Sequence, residues 1–119
     1  MSIPSASESP FATGLKPPYW AVIFTNQREG RDAGYAATAD RMTELARQQP
    51  GFLGMESTRN AEGFGITVSY WRSPEDIAQW RLHAEHSDAR RQGREQWYAQ
   101  FELRVAKVER AYAFERNAG

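Results

Sequence analysis

The sequence predicts a single α+β domain in which a four-stranded antiparallel sheet carries its helices on one face. Three observations lead there. Apolar runs of strand period and stripes of helical spacing follow one another as strand, helix, strand, strand, helix, strand. A chain of 119 residues holds one modest core and no more. The first strand is apolar on both faces, although a two-helix layer covers only one.

Each element has its own warrant. Tyr19 to Asn26 is rich in aromatic and β-branched residues and gives way to the polar stretch Gln27 to Gly34, which marks a strand and its end. Tyr35, Ala39, Met42 and Leu45/Ala46 form one stripe over Tyr35 to Gln49, and Pro50-Gly51 stops that helix. Phe52 to Thr58 and Phe64 to Trp71 read as two strands joined by a loop containing Asn60 and Gly63, a hairpin. Ser73-Pro74-Glu75-Asp76 starts a helix with an N-cap, a proline at the first helical position and acids at the positive helix end. Ile77 and Trp80 face inward along it. A second helical piece is expected to start at Ser87-Asp88 and to place Ala89, Gly93 and Trp97 on one side. Phe101 to Phe114 closes the sheet as the last strand. Its apolar set changes parity between Val105 and Val108, which predicts a bulge there. This order is the split βαβ pattern of a ferredoxin-like fold.

Composition narrows the function. Fifteen Lys+Arg balance fifteen Asp+Glu, so the dense basic field that nucleic acid or an anionic membrane requires is missing. No apolar run approaches the ~18 residues of a membrane span. Without cysteine there is no disulfide, thiolate metal site or cysteine nucleophile. Residues 1–18, rich in Ser and Pro, read as a flexible tail ahead of a domain at 19–115. The tail lacks the pattern of a secretory signal, so the expected location is cytoplasmic. In the first strand Trp20, Val22 and Phe24 point one way while Tyr19, Ala21 and Ile23 point the other. A homodimer, sheet against sheet, is therefore expected.

Pro50-Gly51-Phe52-Leu53-Gly54, Tyr70-Trp71-Arg72-Ser73-Pro74-Glu75, Trp80 and the pattern His86, Gly93, Trp97-Tyr98, Val105, Val108 resemble the antibiotic biosynthesis monooxygenase superfamily of dimeric α+β barrels. The resemblance spans roughly Trp20 to Val108. It implies oxygenation of a small aromatic or polycyclic phenol with molecular oxygen and no cofactor. Haem binding or degradation is the alternative activity, and a non-catalytic dimeric ligand-binding or stress-related protein is the alternative of another class. Haem-degrading members use a first-strand Asn, a Trp on the second helix and a His about three turns later. Asn26 and Trp80 match the first two, but the third register lands near Arg90 and Arg91, with His83 and His86 falling earlier.

The candidate catalytic residues are His86, as general base in the family-like position, and Asn26, as a holder of substrate oxygen; the plain alternative for Asn26 is a strand-ending turn residue. The candidate substrate-binding residues are Trp80, Trp71, Arg72, His83 and Tyr70. Trp80 would stack on the substrate rings, although an inward helical Trp is also ordinary core. His83 and His86 lie three apart without a third ligand fixed by spacing, and no metal is assigned to them. Arg72, Arg81, Arg90, Arg91 and Arg94 are interleaved with Glu75, Asp76, Glu85 and Asp88, as on a solvated face. No phosphate-cradling loop, nucleophile elbow or dinucleotide fingerprint occurs.

Overall fold

The computed structural model describes residues 9–30 and 34–116; residues 1–8, most of the expected tail's first half, lie outside them. The elements are β1 (Tyr19–Arg28), α1 (Tyr35–Arg47), β2 (Phe52–Arg59), β3 (Phe64–Trp71), α2 (Pro74–Leu82), α3 (Ala84–Gln92), a π-helical turn (Gly93–Trp97) and β4 (Tyr98–Val108). The sheet is antiparallel with strand order β2-β3-β1-β4, which is the ferredoxin-like arrangement.

Register sorts the residues by face. Trp20, Val22, Phe24 and Asn26 of β1 lie opposite Trp71, Ser69, Thr67 and Gly65 of β3, so these eight share one face. The helices sit on it. Trp80 of α2 stacks against Trp71, which is fully buried, and Tyr35 of α1 accepts a hydrogen bond from Arg59 of β2. Tyr19, Ala21, Tyr70 and Glu56 occupy the other face. There the Ala12 N–H donates to a Glu56 carboxylate oxygen, so residues near position 12 lie against β2 from the side away from the helices.

The helix starts and stops follow local chemistry. The Ser73 hydroxyl accepts from the Asp76 N–H at 3.2 Å and Pro74 follows it, as the sequence indicates. Gly51 takes φ of +81°, where a side chain is strained, and its carbonyl accepts from the Arg72 N–H at 2.8 Å. This bond ties the end of α1 to the start of α2.

Two expectations need correction. The second helical piece begins at Ala84, not at Ser87-Asp88, because His83 turns extended (φ −60°, ψ 131°) and its carbonyl accepts from the Ser87 N–H at 2.8 Å. The Ser87 hydroxyl donates instead to the Arg81 carbonyl. In β4, which ends at Val108 rather than Phe114, pairing with β1 is regular from Phe101 to Val108, so the parity change is not a bulge. It is a change of face: Leu103 and Val105 lie opposite Phe24 and Val22, whereas Ala106 and Val108 lie opposite Ala21 and Tyr19. The irregularity falls at the other end, where Gln27 pairs with Gln100 but Arg28 pairs with Tyr98. The π-helical turn delivers the chain to that point, and Gly93 makes room for it: a Cβ on Gly93 would lie 2.8 Å from the Tyr98 ring.

Candidate active site

The carbonyls at the C-terminal end of a helix have no partner within it, and something else must satisfy them. The end of α2 is closed by α3. Because the helix breaks at His83, the Trp80 carbonyl is left to accept from the His83 N–H at 3.1 Å and from His86 Nδ1 at 3.0 Å. The Arg81 carbonyl accepts from Ser87 Oγ at 3.2 Å and from Arg90 Nη1 at 3.4 Å. The break that interrupts the helix thus draws His86 onto its own predecessor.

The result is a stack. The His86 ring lies 4.2 Å from the Trp80 ring, centroid to centroid, at an interplanar angle of 10°. Trp80 in turn stacks on Trp71 at 6.4 Å and 26°, and Phe52 meets Trp71 edge-on at 5.4 Å. His83 lies 5.6 Å from Trp80, and its buried Nδ1 has no hydrogen-bond partner. A carbonyl oxygen only accepts, so the contact with Trp80 puts a proton on His86 Nδ1 and leaves Nε2 as the lone-pair nitrogen of the neutral ring. Nε2 has no partner among the described residues. Burial lowers the His86 pKa below the ordinary imidazole value; the bond to the Trp80 carbonyl opposes this, and the positive charges of Arg90 and Arg81 reinforce it. The neutral form, the one that accepts a proton, therefore prevails at neutral pH.

Asn26 stands elsewhere. It is 2% exposed, and its Oδ1 accepts from Arg59 Nη2 at 2.7 Å. Arg59 also donates to the Tyr35 hydroxyl at 2.9 Å and to the Gly63 carbonyl at 2.6 Å, while Arg28 lies 3.9 Å over the Tyr35 ring and donates to the Trp97 carbonyl at 2.7 Å. Tyr98 donates to the Tyr35 hydroxyl, and its own phenol is pushed up first by burial and then by that bond. Asn26 pairs with Gly65 and Trp20 with Trp71, six residues further along β3, so the two clusters are separated by roughly 20 Å of strand.

Of the residues singled out in the sequence, the structure gathers His86, His83, Trp80 and Trp71 and leaves three apart. Asn26 belongs to the Arg59 network. Arg72, exposed, forms a two-pronged ion pair with buried Asp76 (3.1 and 3.2 Å). Tyr70 lies on the opposite sheet face, where it donates to Glu56 at 2.6 Å and meets Tyr19 edge-on. Trp80 is already engaged by three protein rings, those of Trp71, His83 and His86, so its ring holds His86 rather than standing open to a ligand. Arg59 and Tyr35 were missed in the sequence. The signal was Gly65: a glycine inside a strand marks a close approach, and a Cβ there would lie 2.7 Å from the Arg59 guanidinium carbon. Among the described residues no three His, Asp or Glu side chains converge as a metal site, and no helix is long and apolar enough to cross a membrane.

The sequence profile of the antibiotic biosynthesis monooxygenase family matches residues 18–92. The uncharacterized protein YqjZ of Bacillus subtilis is 53% identical over 102 residues, which cover 86% of this chain and 90% of that one. Among solved structures, SnoaB, described as a cofactor-independent oxygenase from Streptomyces nogalater, superposes with a TM-score of 0.69 at 11% identity, covering 80% of this chain and 97% of that one. A Mycobacterium tuberculosis protein superposes with a TM-score of 0.65 at 19% identity, covering 83% and 99%. These structural likenesses concern the fold.

Proposed function

This chain belongs to the antibiotic biosynthesis monooxygenase family, and we propose that it is a cofactor-independent oxygenase of a small aromatic or polycyclic phenol, with His86 as the general base. The observation that carries the reading is the fixed tautomer of His86: Nδ1 tied to the Trp80 carbonyl at 3.0 Å, the ring seated on Trp80, and Nε2 unpartnered. Trp80 is then a positioning residue. A base must be unprotonated at working pH with a nitrogen free to accept, and the lowered pKa and unpartnered Nε2 of this imidazole support that role.

The chemistry needs little else. Nε2 takes the phenolic proton, and the positive charges of Arg81 and Arg90 near His86 favour the resulting anion. The electron-rich anion passes an electron to molecular oxygen, a carbon–oxygen bond forms at the ring carbon opposite the oxygen, and loss of water leaves a second carbonyl there. For α-naphthol the balance is one naphthol and one dioxygen giving one naphthoquinone and one water. All four electrons that reduce oxygen come from the substrate, so the reaction as written draws on no external reductant, flavin or metal.

The test is oxygen uptake with a panel of naphthols and anthrones, followed by isotopically labelled dioxygen. The expected result is one labelled atom in the product and a fall of about 100-fold in kcat for His86→Gln. An unchanged kcat removes His86 from the mechanism. Nε2 is also the atom an axial haem ligand would use, so titration of the protein with haem separates the alternative activity; we expect no shift of the Soret band. A protein that binds the phenols but never consumes oxygen would be the ligand-binding alternative.

The homodimer is likewise proposed. Leu103 and Val105 are 53% and 48% exposed on the helix side of β4, Phe64 and Ile66 are exposed at the start of β3, and Tyr112 and Phe114 are exposed beyond the sheet. A second copy is the simplest cover for so many apolar groups. A sharp monomer of 13.6 kDa by light scattering at micromolar concentration would overturn it.

A further inference from the structure

The ion pairs sort the arginines that lie between Arg72 and Arg94, of which Arg81 and Arg90 act on His86. In the sequence five arginines stand among four acids, as on a solvated face. In the structure Asp76 is taken by Arg72, Glu85 by Arg41 from the neighbouring helix α1, and Asp88 by Arg91. Arg81, Arg90 and Arg94 are left with no carboxylate in ion-pair range among the described residues. Arg90 stands between the other two in their influence, one turn before Arg94 along the chain and in contact with the Arg81 backbone. Arg90 reaches back to the Arg81 carbonyl, and both Arg81 and Arg94 act on it, so that its guanidinium, already disfavoured by partial burial, is pressed further by like charge. A guanidinium has five N–H donors, and Arg90 spends one of them on a long bond.

Two unsatisfied nitrogens adjoin this cluster. His86 Nε2 has no partner, and His83 Nδ1 is buried without one. A partly buried guanidinium such as that of Arg90, flanked by like charge, is stabilised by an anion that joins it. We propose that Arg81, Arg90 and Arg94 bind a carboxylate carried by the aromatic substrate of His86. The planar fork of arginine matches a carboxylate in two-pronged fashion, as Arg72 already does with Asp76 in this protein. The proposal rests on the reading of His86 as the base only for where the ring lies; the anion site itself rests on the arginines. It makes the substrate a hydroxyaryl carboxylic acid rather than a neutral phenol.

The experiment is anaerobic calorimetric titration of the full chain with two probes that differ by one carboxylate, α-naphthol and a hydroxynaphthoate with the acid on the second ring. Without oxygen, binding is read apart from turnover. The wild type is expected to bind the acid at least about tenfold more tightly than the naphthol. Arg90→Gln and Arg81→Gln should each bring the two affinities close to parity by weakening the acid far more than the naphthol, and Arg90→Lys should retain part of the preference. Arg91→Gln removes the same formal charge from the same helix, but from a side chain already paired with Asp88, and should leave the ratio unchanged. Equal affinity for the two probes in the wild type, binding of neither, or a ratio insensitive to Arg90→Gln overturns the proposal. A preference for the acid that survives while no phenol consumes oxygen would leave the anion site standing and remove the oxygenase reading, so the two failures are distinct.

Discussion

Gly51→Ala tests how the helix that carries Trp80 is held. Gly51 sits at φ of +81°, where an L side chain costs ~1–2 kcal/mol. The new Cβ would also collide with the Asp76 side chain, which is only 7% exposed and accepts from Ser73 Oγ at 2.8 Å and from Arg72. Moving Asp76 aside strains its bonds to Ser73 and Arg72, and with them the N-cap contact that Ser73 makes to its backbone; loss of a cap alone costs ~1 kcal/mol. The two contributions together give a destabilisation of about 2–3 kcal/mol. Urea denaturation followed by tryptophan fluorescence measures it directly. Ser73→Ala, which removes the cap without touching Gly51, should cost less, about 1 kcal/mol. If Gly51→Ala loses less than about 1 kcal/mol, Asp76 yields freely and the Gly51–Asp76–Ser73 contact is not what positions α2.

Other outcomes follow from single features. Trp71, fully buried between Phe52 and Trp80, should lose about 3–5 kcal/mol on substitution by Ala, read as a lowered urea midpoint. His86 has a lowered folded pKa, so it contributes stability that is complete above its unfolded pKa of about 6.5 and is lost as pH falls through the folded value; the wild type should soften below that pH more than His86→Gln does, by thermal melts across pH. Arg59→Leu leaves the buried Asn26 Oδ1 without its donor and should cost about 1–3 kcal/mol, whereas a silent substitution would deny the network its role. Asn26→Ala and His86→Gln should act additively on kcat/KM within about 0.5 kcal/mol, because their clusters share no contact; a larger coupling in the double mutant would place them in one site.

The fold was legible because its signals are local. The N-cap at Ser73, the stop at Gly51 and the period-two runs of β1 and β3 depend on neighbours in sequence, and each appears where those neighbours put it. The His86–Trp80 contact is equally local, six residues and one helix break, but the sequence singled out the two residues for separate roles and did not stack one on the other. What failed depends on contacts between distant segments. Arg41 lies 44 residues from Glu85, and the composition of α3 alone gives no hint that α1 takes its acid away. Ser87 carries the chemistry of a cap, yet a free carbonyl at Arg81 drew its hydroxyl inward, and the start of α3 moved to Ala84. The apolar parity of β4 suggested an extra residue because a strand was assumed to serve one face, whereas β4 presents apolar groups to both.

The separation of Asn26 from His86 has a physical origin in how the chain handles charge. Arg59 brings a cation onto the helix-facing side of β2 and must be satisfied there; the Asn26 amide oxygen, the Tyr35 hydroxyl and the Gly63 carbonyl satisfy it without any carboxylate. Asn26 is thereby committed, its oxygen turned to protein and its surface closed. At the other end of the sheet the balance differs: Glu85 and Asp88 of α3 and Asp76 of the first turn of α2 are bound by Arg41, Arg91 and Arg72, while a hydrogen-bonded imidazole and three arginines keep capacity to spare. Among the described residues unspent polar groups occur at both ends, Trp97 Nε1 beside Tyr35 and His83 Nδ1 beside Trp80, but the unpaired cations and the proposed base stand together at the junction of α2 and α3. The resemblance carries an asparagine and a tryptophan to matching positions, yet the first is spent on Arg59 and the second on His86, which is why the proposed base and not the matched asparagine is the residue to test first.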